Sequence, residues 1–210
     1  EIDRRLIKDK IRKINKAIEN IQHQKETQRK QREKARKICL AGYTNAGKST
    51  LFNLLTNANV LVEDKLFATL DSTSRQLKLS TGNPVVLSDT VGFISKLPHH
   101  LVASFKATLM EVQDANLLLH IVDVSDERFE YYIQQVNSVL QQIGAETIPQ
   151  IIVFNKIDNV DSIWVSVLES RFPEGVFISA IQGINIDKLL AKVEKVILGN
   201  RILQLKIKNK

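Results

Sequence analysis

Residues 42–49 read Gly42-Tyr43-Thr44-Asn45-Ala46-Gly47-Lys48-Ser49, an eight-residue segment with the pattern G-x-x-x-x-G-K-[ST]. A short apolar run precedes it at residues 37–41, and residues 49–55 have the apolar spacing of a helix start. In such a loop the glycines allow a tight turn whose N–H groups converge on a phosphate, while the lysine adds a point charge and the serine hydroxyl ligates Mg²⁺. The strand, loop and helix therefore predict a nucleotide-phosphate site in an α/β domain.

A second motif, Asn155-Lys156-Ile157-Asp158, follows an apolar run and begins 107 residues after Lys48. A carboxylate at a strand end can accept two hydrogen bonds from guanine, whereas adenine offers no such pair of donors. We interpret Asp158 as the residue that selects guanine. Asn155 is interpreted as hydrogen-bonding to nearby loops and to the base edge, and the aliphatic stem of Lys156 as packing on one face of the base ring. Ser179-Ala180-Ile181 is predicted to form a second loop at the base. Together these motifs predict a guanine nucleotide site.

Two segments between these motifs are predicted to approach the γ-phosphate and the metal. Ser88-Asp89-Thr90-Val91-Gly92 follows an apolar strand, so its Asp carboxylate is placed to reach Mg²⁺ through water and its Gly N–H to contact the γ-phosphate. Phe67-Ala68-Thr69-Leu70-Asp71 occupies the position of the first switch loop. Thr69 is the predicted second protein ligand of Mg²⁺, and Thr73 is the alternative.

The predicted fold is an α/β P-loop domain with a mainly parallel six-stranded sheet, one antiparallel strand and helices on both faces. A hairpin turn at residues 80–83 accounts for the antiparallel strand. Strands are predicted at 37–42, 74–80, 84–88, 116–123, 149–154 and 175–178, and helices at 2–35, 48–57, 98–113, 127–143, 160–170 and 184–198. The predicted organisation is a basic amphipathic helix over 1–36, a nucleotide-binding domain over 37–199 and a short basic tail over 200–210. The tail is expected to be a short strand or disordered.

Composition supports one globular domain with an appendage, because the chain has 210 residues of which 43% are hydrophobic. Cys39 is the single cysteine, so no disulfide can form within the chain. It lies in an apolar strand and is expected to be a buried core thiol. No apolar run approaches the roughly 20 residues of a membrane span. These features predict a cytoplasmic protein with no membrane span.

Three segments together resemble the HflX GTPases over about residues 1–198. They are GYTNAGKST (42–50), FATLDSTSR (67–75) and DTVGFISKLPHHLVASFKATLMEVQDANLLLHIVDVSD (89–126), and NKID and SA follow them. The resemblance implies a translation-factor-class GTPase that binds GTP and GDP, uses Mg²⁺ and associates with the large ribosomal subunit and its rRNA. The chain departs from the family pattern at Ser72, usually Pro, and at Ser74, usually Thr. Because the chain begins with Glu1, we interpret it as a fragment that starts in the last long helix before the GTPase domain and lacks the family's N-terminal domain.

The residue after D-x-x-G is Phe93, where many GTPases carry a water-orienting Gln. Slow intrinsic hydrolysis is therefore predicted, with the chemistry carried by Mg²⁺, Lys48, backbone amides and a group supplied by a partner. The resemblance implies that Asn45 coordinates K⁺, a second candidate cofactor, and the alternative is that Asn45 bonds only within its loop. His99 and His100 are expected to face solvent, and His120 is expected to be a packed core residue.

The predicted site residues follow from these motifs. The predicted nucleotide contacts are Gly42, Tyr43, Thr44, Asn45, Ala46, Gly47, Lys48, Ser49, Thr50, Phe67, Ala68, Thr69, Leu70, Asp71, Asp89, Thr90, Val91, Gly92, Asn155, Lys156, Asp158, Ser179, Ala180 and Ile181. Catalytic roles are predicted for Lys48, Thr69, Gly92 and Asn45. The predicted metal contacts are Ser49, Thr69 and, through water, Asp89.

The excess positive charge is confined to the start of the chain. Residues 1–37 hold 14 Lys and Arg against six Asp and Glu, whereas the other 173 residues hold 16 against 17. Isoleucines repeat there at alternating spacings of four and three, the seam of a helix pair: Ile7, Ile11, Ile14, Ile18 and Ile21. Two interpretations remain for this arm, a solvated helix or a basic surface for rRNA phosphates whose seam packs on a partner helix.

Three function classes remain at this point. The first is a ribosome-associated GTPase whose nucleotide state controls ribosome binding or splitting. The second is a GTPase that acts on another RNA or protein target. The third is a regulatory GTP/GDP-binding module with negligible turnover, in which the arm is an oligomerisation element. A monomer is the expected oligomeric state.

Overall fold

The structure, a computed structural model, describes residues 36–58, 73–80, 82, 85–89 and 112–208. The chain divides into two units, Glu1–Ala35 and Arg36–Lys210, and all described residues belong to the second. The predicted helix over 2–35 and all but the end of the predicted helix over 98–113 therefore lie outside the described residues.

The described residues form strands and helices, and no helix described in full lies between residues 73 and 123. The strands are β1 (Arg36–Gly42), β2 (Thr73–Leu77), β3 (Val85–Asp89), β4 (Leu117–Asp123), β5 (Gln150–Asn155) and β6 (Val176–Phe177). The helices are α1 (Lys48–Thr56), α2 (Phe129–Gln142), α3 (Ser162–Arg171) and α4 (Ile186–Lys208), and a 3₁₀ turn spans Ile157–Asn159. No helix among these described residues combines the length and apolar character required to cross a membrane.

The six strands form one sheet in the order β2-β3-β1-β4-β5-β6. β2 runs antiparallel to β3, and every other neighbouring pair is parallel. This confirms the predicted mixed sheet with one antiparallel strand. Because β1, β4 and β5 run parallel in the middle of the sheet, their carboxyl ends meet at one edge, where ligands bind in open α/β sheets.

Helices cover both faces of the sheet. The side chains of β1 alternate, so Ile38 and Leu40 enter one core while Cys39 enters the other. The first core is completed by residues of α1 and α4: Leu51, Phe52, Leu189, Val193 and Ile197. The second is completed by Leu118 of β4 and by Val136 and Leu140 of α2. Cys39 is 1% exposed, as the apolar strand predicted.

A polar contact joins the β2–β3 hairpin to α4. Gly82 lies in the predicted turn with φ +67° and donates its N–H to the Leu79 carbonyl. Just before it, the Ser80 hydroxyl donates to the Glu194 carboxylate at 2.7 Å, and the Ser80 N–H donates to the same carboxylate. The hairpin is therefore bonded to the middle of the last helix.

The last helix is longer than predicted. The sequence predicts a helix over 184–198 and a tail that is a strand or disordered, and this prediction is wrong because α4 continues to Lys208. Gly199 has open space around it, and a single helical glycine costs only about 1 kcal/mol. The residues after it include Leu, Arg, Gln and Lys, which favour helix, so the alternation of apolar residues in the tail was a misleading strand signal.

Candidate nucleotide site

The loop between β1 and α1 depends on its two glycines. A Cβ added at Gly42 would collide with the backbone carbonyl oxygen of Ile121 on β4. Gly47 has φ +91°, and a Cβ there would collide with the side-chain amide of Asn155. The glycines of the motif therefore allow the loop to approach both β4 and the end of β5.

The lysine of the loop is folded back onto the loop itself. Lys48 is 6% exposed, and its Nζ donates a hydrogen bond to the Tyr43 carbonyl at 2.8 Å. Burial lowers the pKa of Lys48 to about 8, and the charge of Asp89 opposes this shift. A phosphate would supply the negative charge that this buried ammonium favours.

The hydroxyl of Ser49 and the carboxylate of Asp89 lie together beneath the loop. The Ser49 Oγ donates to Asp89 Oδ2 at 2.7 Å, and Asp89 is fully buried at the end of β3. Hydroxyl and carboxylate oxygens are the ligands that Mg²⁺ prefers, so these two residues fit the ion. Thr73, the alternative switch ligand, pairs with Asp89 in the β2–β3 ladder.

Asn155 connects the phosphate loop to the loop after β6. Its Nδ2 donates to the Ala46 carbonyl at 2.9 Å, and its Oδ1 accepts the Ala180 N–H at 3.0 Å. The side chain is 2% exposed, so both bonds are shielded from water. One amide therefore holds two loops that are far apart in sequence.

In the rest of the second motif, Lys156 forms an ion pair, and one oxygen of Asp158 has no hydrogen-bond partner among the described residues. Lys156 adopts φ +66°, and its Nζ lies 2.7 Å from Asp123 Oδ2 at the end of β4. Oδ1 of Asp158 is buried and has no hydrogen-bond partner within the part of the chain that the structure describes. A buried acceptor without a partner is costly, and donors from a ligand would satisfy it. Asp123 was missed in the sequence, although an Asp that ends an apolar strand was a visible signal.

The structure describes some of the other predicted residues, and the rest lie outside the described ranges. Ser179 is fully buried and Ala180 is 4% exposed beside Asn155, whereas Ile181 is 78% exposed and points away from the packed core.

Two further predicted contacts belong to the phosphate loop and the start of α1. Asn45 is exposed with φ +62°, and Thr50 lies in the first turn of α1. Eight predicted contacts lie outside the described residues: Phe67, Ala68, Thr69, Leu70, Asp71, Thr90, Val91 and Gly92. Phe93, His99 and His100 also lie outside them.

A cavity of about 210 Å³ lies on the α2 side of the phosphate loop. It is lined by Thr44, Asn45 and Ala46 of the loop and by His120 of β4. His120 is 1% exposed, as predicted for a core residue, and its Nδ1 has no hydrogen-bond partner among the described residues. Burial, and next the charge of Lys48, lower the pKa of His120 to about 4.

Replacing His120 with Gln should reduce the loss of stability in acid. The unfolded chain binds a proton at His120 near pH 6.5, whereas the folded chain does so only near pH 4, so stability falls as the pH drops through this window. Between about pH 7 and about pH 5 the variant should lose about 2 kcal/mol less unfolding free energy than the original chain. Urea unfolding at both pH values measures this difference, and equal losses would contradict the buried neutral imidazole.

Comparison with known proteins places this geometry in a family. The family described as 50S ribosome-binding GTPase matches residues 37–156. GTPase HflX from Magnetococcus marinus is 46% identical over 209 residues, which cover 99% of this chain and 48% of that protein. GTPase HflX from Flavobacterium psychrophilum is 51% identical over 158 residues, which cover 75% of this chain and 38% of that protein.

A solved structure agrees with these sequence relatives. A GTP-binding protein from the hyperthermophilic archaeon Sulfolobus solfataricus, in complex with GDP, has a TM-score of 0.61 and 27% identity, covering 88% of this chain and 57% of that one. The chain spans about half the length of the curated relatives it matches. It belongs to the family of 50S ribosome-binding GTPases, and its relatives there are the HflX GTPases that its motifs predicted.

Proposed function

We propose that this chain binds GTP and GDP at the loop between β1 and α1, hydrolyses GTP to GDP and phosphate, and associates with the large ribosomal subunit according to its nucleotide. The observation that carries the proposal is the double hydrogen bond of Asn155, to Ala46 and to Ala180. It connects the predicted phosphate loop to the predicted base loop, and the buried acceptor of Asp158 follows three residues along the chain, which supports a single site. That arrangement matches a ligand with phosphates at one end and a hydrogen-bond-donating base at the other.

Each residue has a distinct role in this proposal. Lys48 exchanges its bond to the Tyr43 carbonyl for the β- and γ-phosphates, and the loop N–H groups bind the β-phosphate. Ser49, Thr69 and, through water, Asp89 would hold Mg²⁺, which neutralises charge on the phosphate oxygens. The Gly92 N–H contacts the γ-phosphate, and Asp158 accepts two donors from guanine.

Metal-site variants separate the two nucleotide states. Ser49→Ala removes a ligand needed with either nucleotide, so it should weaken both GDP and GTP. Thr69→Ala removes a ligand that acts when the first switch closes on GTP, so GDP affinity should be spared. Calorimetric titration in Mg²⁺ measures both affinities. Equal losses for GDP and GTP in the Thr69 variant would shift the assignment to Thr73.

Hydrolysis should be slow, because Phe93 cannot orient water. The basal rate should lie near the roughly 10⁻⁴ s⁻¹ of an unassisted small GTPase. If Asn45 helps to hold K⁺ at the phosphates, replacing Na⁺ by K⁺ at fixed ionic strength should raise the rate, and Asn45→Ala should abolish the gain with GDP affinity nearly intact. Phosphate release assays in the two salts measure this, and equal rates would remove K⁺ from the mechanism.

Association with the ribosome is tested with the full-length protein. Co-sedimentation with large ribosomal subunits should be stronger with a non-hydrolysable GTP analogue than with GDP. Equal sedimentation with both nucleotides, or none, would contradict nucleotide-controlled ribosome binding. A switch that acts on another RNA or protein would then be the better description.

A further inference from the structure

Three side chains are layered beside the phosphate loop. The rings of Tyr43 in the loop and Tyr132 in α2 are stacked, with centroids 4.0 Å apart and planes 17° apart. The Arg128 guanidinium lies 5.3 Å from the centroid of the Tyr132 ring. Asp126 accepts from the Arg128 side chain at 3.3 Å and from its backbone N–H at 2.9 Å, which fixes the end of this layer. We call Tyr43, Tyr132 and Arg128 the aromatic stack.

The aromatic stack borders the cavity beside the phosphate loop. Tyr43, Thr44, Asn45 and Ala46 of the loop and Tyr132 of α2 are among the residues that line this cavity of about 210 Å³. Atoms that face a void have no contact atoms on that side. The ring of Tyr132 therefore supplies packing to the Tyr43 side chain where the cavity does not.

Tyr43, whose ring stacks on Tyr132, also binds the lysine of the loop through its backbone carbonyl. The Tyr43 carbonyl accepts the Lys48 ammonium at 2.8 Å, and the Ala46 N–H points to the same oxygen at 3.4 Å. Ring and carbonyl share one Cα, so fixing the ring restricts where the carbonyl can lie. The stack on α2 is thereby connected to the Lys48 ammonium and to the curvature of the loop.

We propose that Tyr132 is a positioning residue for nucleotide binding, which acts through Tyr43 to hold the phosphate loop in its binding conformation. This inference rests on the proposed function. A stacked aromatic pair is worth enough that Tyr132→Ala should weaken nucleotide binding about threefold to tenfold. The loss should be the same for GDP and GTP, because the loop N–H groups contact the β-phosphate that both nucleotides carry.

The test measures affinities and dissociation rates of fluorescent GDP and GTP analogues with variants of the whole chain. Tyr132→Phe keeps the ring and should bind as the original chain does, whereas Tyr132→Leu keeps bulk without a ring face and should show the loss. Tyr131→Ala is the matched control, since Tyr131 is 47% exposed and its ring contacts Tyr132 only in a tilted arrangement at 5.8 Å. Tyr132→Ala added to Tyr43→Ala should cause no further loss, because the contact is already gone.

Several outcomes would overturn this role. Tyr132→Ala or Tyr132→Leu with the affinity of the original chain would show that stacking does not position the loop. Additive losses in the Tyr43 and Tyr132 double variant, or a Phe variant as weak as Ala, would show that Tyr132 does not act through Tyr43. An original chain that binds no guanine nucleotide would instead refute the proposed function, so the two failures are distinct.

Discussion

Replacing Asp158 with Asn should lower GTP affinity roughly 100-fold or more and should let the chain bind xanthosine triphosphate. The Asp158 carboxylate can accept two donors from guanine, whereas an Asn side chain places an NH₂ group against one of them. Xanthine carries an oxygen where guanine carries its exocyclic amino group, so the new NH₂ finds an acceptor. The buried Oδ1 without a described partner is the atom on which this prediction depends. Competition between the two triphosphates for a fluorescent nucleotide measures the exchange of specificity.

A nearby carboxylate provides the control for this substitution. Asp161 caps α3 by accepting the Ile163 N–H at 2.7 Å, and Asn is an equally good residue at that position. Asp161→Asn should therefore leave both nucleotide affinities unchanged. An Asp158 variant that keeps its GTP affinity and gains no xanthosine binding would remove Asp158 from the base site.

Replacing Asn155 with Asp should weaken GTP and GDP binding by more than roughly 100-fold and lower the free energy of unfolding by about 3 kcal/mol. The exchange turns the Nδ2 donor into an oxygen that faces the Ala46 carbonyl, so one buried hydrogen bond becomes a repulsion. A protonated carboxyl can donate again, so mildly acidic conditions should recover part of the affinity. Fluorescent nucleotide titration and urea unfolding of the nucleotide-free chain measure the two effects.

Asn159 is the matched control for this second substitution. It lies four residues later, is exposed and ends the 3₁₀ turn. Asn159→Asp introduces the same chemical change where water can solvate the charge, so neither affinity nor stability should change by much. An Asn155 variant that binds nucleotide as the original chain does would show that the two loops need no amide between them.

The local part of the fold was predictable because its signals lie within short segments. The apolar runs of β1 and β5 and the glycine loop define strand, loop and helix directly, and the turn near Gly82 explains the antiparallel strand. The predicted end of α4 was wrong, because Gly199 resembles a helix break and the alternating apolar and polar residues after it resemble a strand. Helix propensity there acts over many residues and outweighs one glycine.

Contacts between distant segments were the part that the sequence could not supply. Lys156 pairs with Asp123, and Tyr43 stacks on Tyr132, yet no spacing rule connects residues on different elements. Such pairs arise only when the parallel strands bring α2 and the strand ends beside the phosphate loop. The motif residues could be identified individually, whereas the residues that support them required the structure.

The bond between Ser80 and Glu194 ties the β2–β3 hairpin to the last helix at a site away from the sheet ladder. The Ser80 hydroxyl lies 2.7 Å and 2.6 Å from the two carboxylate oxygens of Glu194. Leu189, Val193 and Ile197 of the same helix are buried in the first core, so apolar packing and this polar contact hold the helix together. Any shift of the hairpin relative to α4 would have to break this bond and separate buried side chains on the face that also packs against β3, the strand that ends in Asp89.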